Sequence, residues 1–155
     1  MSITSRLAEL GIELPPVVPP VAAYVPAVVH GDLVYTSGQL PMVSGALPAT
    51  GKVGEGHGLV PASDATSYAR QSALNAIAAA AAAVGGVDRL VRVVKVTGFV
   101  ASVPEFTGQP GVINGASETL GEIFGDAGRH ARSAVGVPVL PLDSPVEVEV
   151  IFAWE

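Results

Sequence analysis

The residues best suited to chemistry in this chain are one arginine and a pair of glutamates. Arg132 stands in His130-Ala131-Arg132-Ser133-Ala134-Val135, a charge among small and apolar neighbours. Its planar fork can hold a carboxylate through two parallel hydrogen bonds, a geometry lysine lacks. A charge on a strand is by default solvated, so patterning alone also allows an exposed or structurally paired arginine. Glu147 and Glu149 alternate with Val146, Val148 and Val150, which puts both carboxylates on one strand face. In a partly desolvated cleft such a group has a raised pKa and can take a proton from water. The solvated face of an edge strand, or a simple ion pair with an arginine, fits the same alternation.

Other chemistry finds less support. His30, His57 and His130 lie far apart and lack the paired spacing of a metal site. His130 is the most notable, two residues before Arg132, and reads first as structural. Gly51 to Gly58 is glycine-rich, but it follows no predicted strand and lacks the Gly-Lys-Ser end of a phosphate loop. Ser37-Gly38 and Ser133 stand outside any nucleophile motif. The chain has no cysteine, which excludes disulfides, thiolate catalysis and cysteine metal sites and is compatible with a reducing cytoplasm.

Composition narrows the partners. The chain is 155 residues, the length of one domain, with 49% hydrophobic and only 14% charged residues. A small domain has too much surface for so few charges to cover, so part of the apolar excess is expected against another copy. The formal charge is −6. Its basic residues do not cluster as phosphate binding requires; in Arg89 to Lys95 they are interleaved with valines, as in a strand. Nucleic acid is therefore not an expected partner. Neither is a membrane: the longest apolar run, Ala76 to Val84, is half a span, and Met1 to Leu14 carries Arg6, Glu9 and Glu13 where a secretory signal needs a continuous apolar core.

The elements that must position these groups follow from periodicity. Ser2 to Leu14 predicts a short amphipathic helix, ended by Pro15, Pro16, Pro19 and Pro20, which impose an extended linker. Residues 1–21 thus form an N-terminal extension and 22–155 a single domain. Tyr24 to Val29 and Leu33 to Ser37 read as a hairpin around His30-Gly31-Asp32. Pro41 to Pro61 has no periodicity and reads as a long surface loop. Ser63 or Asp64 should cap a helix with Tyr68, Leu74, Ile77, Ala81 and Val84 on its buried side, stopped by Gly85-Gly86. Leu90 to Val103 is a β-branched run suited to a central strand. Val112, Ala116, Leu120 and Phe124 mark a second helix, and His130 to Val137 and Val146 to Trp154 the last two strands. The order β-β-α-β-α-β-β makes an α+β domain with two helices on one sheet face. The other face, expected to hold valines with Arg132 and Glu147 or Glu149, needs a cover.

Three segments in this order resemble the RidA (YjgF) family: Gly31 to Pro41 with its Ser37-Gly38-Gln39, Ala131-Arg132-Ser133, and the closing Val146-Glu147-Val148-Glu149-Val150. The resemblance runs from about Ala22 to Trp154. It implies a chorismate-mutase-like fold and a cytoplasmic, barrel-like homotrimer with clefts between subunits. It implies cofactor-free hydrolytic deamination of reactive 2-imino and 2-enamino acids to 2-keto acids and ammonia. Arg132 would anchor the substrate carboxylate and Glu147 would hold the attacking water. Tyr24, Ser37, Gly38, Asn114 and Ala134 would shape the pocket, Ala134 standing where many relatives have cysteine. The alternative within the same fold is a non-catalytic module that binds keto acids or similar small carboxylates. Ala22-Ala23-Tyr24 in place of Gly-Pro-Tyr, the longer loop, and His130 where proline is common mark a divergent subgroup.

Overall fold

The computed structural model describes residues 1–17 and 22–155; the reading of Pro19 and Pro20 as linker lies outside them. A short helix α1 (Ile3–Leu10) precedes the hairpin β1 (Ala27–His30) and β2 (Leu33–Thr36). Helix α2 (Ala62–Val84), strand β3 (Leu90–Ala101), helix α3 (Gln109–Phe124), and strands β4 (Ala131–Val137) and β5 (Val146–Trp154) complete the chain. The sheet order is β1-β2-β5-β3-β4. Among these five strands β3 and β4 alone pair in parallel, with α3 as the crossover that a parallel pair requires.

Both long helices cover one sheet face. Between them and the sheet lie Val34, Val93, Val96, Val100, Val148 and Phe152, all without solvent exposure. Each such side chain contributes roughly 1.5–3 kcal/mol of transfer free energy. The alanines of α2 let it lie close to its neighbours. At Gly115 of α3 a Cβ would overlap the Thr66 carbonyl oxygen of α2, so the helix crossing needs glycine there. The opposite face is open and carries Val28, Tyr35 and Val135, each at least 40% exposed. No helix among the described residues is long and apolar enough to cross a membrane.

Several boundaries differ from expectation for local reasons. Helix α1 stops at Gly11, whose left-handed backbone (φ 65) closes the helix four residues before the first proline. Leu7 docks it into the core, and Asp88 accepts hydrogen bonds from the Thr4 N–H and hydroxyl, both at 2.8 Å. Strand β1 begins only after Pro26, whose carbonyl accepts from Ser37 N–H at 2.8 Å. Helix α2 is not capped by Ser63 or Asp64. It starts one residue after Pro61, and no side chain caps it. The 41–61 segment is not wholly a surface loop: Val53 is fully buried and its N–H donates to Ala101 O at 2.7 Å.

The largest departure concerns Arg132. It is not on the open face with Glu147. β4 pairs with β3 so that Arg132 lies opposite Val96, and Val96 faces the helices. Residues opposed across a ladder point the same way, so Arg132 points to the helix side. The pattern of β4 could not reveal this, because its parallel partner sets the face.

Candidate functional site

The strand β5 alternation places Val146, Val148 and Val150 in the core and Glu147 and Glu149 on the open face. Glu147 is half-buried, opposite Phe99 of β3. Burial, then the neighbouring Glu149 carboxylate, pushes its pKa above the ordinary value of 4.5. The carboxyl lies against the Cα of Gly38, where a Cβ would overlap Glu147 Oε1. Gly38 follows the end of β2, and pairing with β5 resumes one residue later, at Gln39 opposite Val148.

On the other side of Gly38 a cavity of about 470 Å³ opens. Tyr24, Ser37 and Gly38 all line it, so three of the residues singled out in the sequence converge on one space. Ser37 serves there as a brace: its hydroxyl donates to Val25 O at 2.6 Å. Met42, Asn75 and Leu142 also line the cavity and went unseen in the sequence. Leu142 and Ser44, both on its wall, hold positive φ angles of 58° and 51°. Non-glycine residues in that region store strain, which tends to collect at binding sites.

Arg132, Asn114 and Ala134 form a second group, where edge strand β4 meets α3. Arg132 Nη1 donates to Asn114 Oδ1 at 2.8 Å and to Ser117 Oγ at 3.2 Å, and Nη2 donates to Pro110 O at 3.4 Å. Ser117 Oγ is 2.9 Å from His130 Nε2, and His130 Nδ1 is 2.6 Å from Gly128 O. A carbonyl can only accept, so neutral His130 carries its proton on Nδ1. Ser117 then donates to Nε2, and its lone pairs are left to Arg132. The chain of bonds orients the guanidinium while Nε has no protein partner among the described residues. That leaves the Nε/Nη2 edge to meet a carboxylate side-on. Ser117 was missed in the sequence, although its position three residues after Asn114 puts both on one helix face.

A single chain therefore holds two half-sites on opposite sides of its sheet: Glu147 with Gly38, and Arg132 with Asn114. Gly38 is the position where the first is most sensitive. Gly38→Ala is expected to displace the Glu147 carboxyl from its place against the strand end, visible as a shift of its NMR resonance. Circular dichroism should show the fold retained, since the obstructing atom is the end of a flexible side chain.

The fold is that of a small α+β protein with one mixed sheet and its helices on one face. Residues 4–154 match the profile described as "YjgF/chorismate mutase-like, putative endoribonuclease", and the chain belongs to that family. It is 41% identical over 152 residues to Protein TCP17 of Trypanosoma cruzi, covering 96% of this chain and 92% of the relative. The crystal structure of protein Atu1372 from Agrobacterium tumefaciens, described as of unknown function, is similar at 43% identity and TM-score 0.88, over 99% of this chain and 94% of that one. The structure of E. coli TdcF with bound serine is similar at 26% identity and TM-score 0.65, over 90% of this chain and 94% of that one.

Proposed function

We propose that this protein hydrolyses reactive 2-imino and 2-enamino acids to 2-keto acids and ammonia, in clefts between the subunits of a barrel-like homotrimer. The observation that carries the reading is the Glu147 carboxyl, half-buried with a raised pKa, lying on Gly38 beside a cavity. Arg132 faces the other side of the sheet, so pairing it with Glu147 takes a second copy of the chain. The exposed Val28, Tyr35 and Val135 of the open face give that copy an apolar surface to cover. TdcF with its bound serine supports a small carboxylated ligand in this family.

The chemistry needs little more than placement. Arg132 anchors the carboxylate. Water adds to the carbon of the protonated imine as Glu147 takes one of its protons, giving a neutral carbinolamine. Glu147 returns that proton to the nitrogen, the C–N bond breaks, and the carbinol oxygen becomes the keto oxygen as its proton leaves with ammonia. Fixing water and an already electrophilic carbon together supplies most of the acceleration. An enamine first tautomerises to the imine.

The second reading is a module that binds a keto or amino acid without turning it over, and the serine on TdcF favours it specifically. The deciding experiment feeds the purified protein 2-imino acids made in situ by an amino-acid oxidase and follows keto-acid release. Acceleration over the uncatalysed rate is expected; its absence in a folded protein would defeat the deaminase reading and put the binding module first. With a formal charge of −6 and its basic residues dispersed, the chain is expected to leave a labelled RNA intact in the same preparation.

A further inference from the structure

Resting on the reading of Arg132 as the carboxylate anchor, we infer that Ser117 and His130 are its positioning residues: they hold the guanidinium with its Nε/Nη2 edge left for the ligand, and the anchor's affinity depends on them. The three bonds of the guanidinium are unequal in what they can fix. Asn114 Oδ1 is the nearest acceptor, at 2.8 Å, but this bond is open to water, and the Asn114 side chain has no other partner among the described residues to hold it. Pro110 O, at 3.4 Å, is also open to solvent and too distant for a strong bond. The bond to Ser117 Oγ, at 3.2 Å, is the partly buried one, and Ser117 is itself held from behind.

What stands behind Ser117 is rigid. His130 Nε2 lies 2.9 Å from Ser117 Oγ and Nδ1 lies 2.6 Å from Gly128 O, both bonds partly buried. Gly128 ends the 3-10 turn Gly125–Gly128 that follows α3, and it is buried against that helix: a Cβ there would stand 2.6 Å from Leu120 O. Both feet of the chain of bonds, Ser117 and Gly128, therefore rest on α3. Direction matters as much as distance. Gly128 O can only accept, so Nδ1 of the neutral ring carries the proton and Nε2 offers a lone pair. That lone pair draws the Ser117 proton and leaves the hydroxyl's own lone pairs to the cation. A Ser117 hydroxyl without this acceptor is free to bond back to the carbonyl one turn earlier, as serines in helices do. Histidine at position 130 thus acts on the ligand through Ser117 and Arg132, without touching it.

The test has a dynamics arm and a binding arm. The ¹⁵N heteronuclear NOE of Arg132 Nε, measured without ligand, reads how firmly the guanidinium is held. Calorimetry with pyruvate reads the consequence for a small keto acid. Ser117→Ala should loosen Arg132 and weaken pyruvate by roughly 3- to 10-fold, the worth of one ordinary hydrogen bond, while Ser117→Thr keeps the hydroxyl and should restore both. At position 130 two amides separate positioning from plain structural support. Asparagine can replace Nδ1 towards Gly128 O but has nothing at the place of Nε2; glutamine can put an acceptor where Nε2 stood. His130→Gln should therefore keep Arg132 ordered and pyruvate bound, and His130→Asn should lose both at an unchanged melting temperature. The reverse order of the two amides would overturn the inference, as would an Arg132 Nε already mobile in the wild type. Loss of pyruvate in Arg132→Ala with no change in either arm for Ser117→Ala would overturn it and leave the anchor standing. Loosening of Arg132 in Ser117→Ala, with pyruvate bound equally well by wild type and Arg132→Ala or by neither, would uphold the positioning and defeat the anchor.

Discussion

Arg132→Ala is expected to lower kcat/KM for 2-imino acids by about 10²- to 10⁴-fold, the loss of two hydrogen bonds to a charged group at roughly 1.5–3 kcal/mol each. The fold should survive. Arg132 is only partly buried, and its partners keep other company: Asn114 is exposed, and Ser117 retains His130 at 2.9 Å. The proposed trimer should survive as well, because the apolar residues that would seal it lie on the opposite face. Arg132→Lys should recover little activity, since an ammonium is a point donor and cannot engage both carboxylate oxygens side by side. Binding of a keto acid, measured by calorimetry on the same variants, should fall in parallel. Undiminished turnover by the alanine variant would remove Arg132 from the anchor role and require another cation for it. Weak binding with normal kcat would mean that the contact acts equally in ground and transition states.

That expectation could be framed from the sequence, but its geometry could not. The helices were legible because their apolar residues recur on one side and glycines end them: Gly85 and Gly125 stand where α2 and α3 close. Strand β5 was legible because Glu147 and Glu149 alternate with valines, and the alternation fixes which side each faces. β4 gave no such signal. Its residues are small, it lies at the sheet edge, and its facing is inherited from β3 through parallel pairing that no local pattern encodes. The pattern alone therefore puts Arg132 on the wrong face. Likewise Tyr24, Ser37 and Gly38 were picked out in the sequence, but the cavity they share depends on Asn75 and Leu142, which are 38 and 105 residues beyond Ser37 in sequence. His130 was visible as a curiosity. Its place beneath Arg132 needed Ser117, on another element, to bridge them.

Glu147→Gln should separate catalysis from stability, because the same burial affects them in opposite directions. The amide is nearly isosteric and still touches Gly38, but it cannot take a proton from water. Turnover should fall about 10²- to 10⁴-fold, the scale of a lost general base, while keto-acid affinity is retained. In the wild type kcat/KM should rise with pH as Glu147 ionises, with its midpoint above the ordinary value of 4.5 because burial and Glu149 both oppose the charge. Stability runs the other way. The folded state holds the Glu147 proton more tightly than the unfolded chain, so between the unfolded and folded pKa values the native state binds more protons. Unfolding free energy then decreases as pH rises through that window, and the penalty persists at neutral pH. Glutamine removes the ionisation and with it the penalty. The variant should therefore melt at a higher temperature than wild type at pH 8, and the two should converge below pH 4, where the glutamate is protonated in both states. A variant that is inactive and less stable at pH 8 would show that Glu147 is held by a favourable ion pair, and that the desolvated base proposed here is wrong. An active variant would leave the water to some other group and return Glu147 to the status of a strand-face carboxylate.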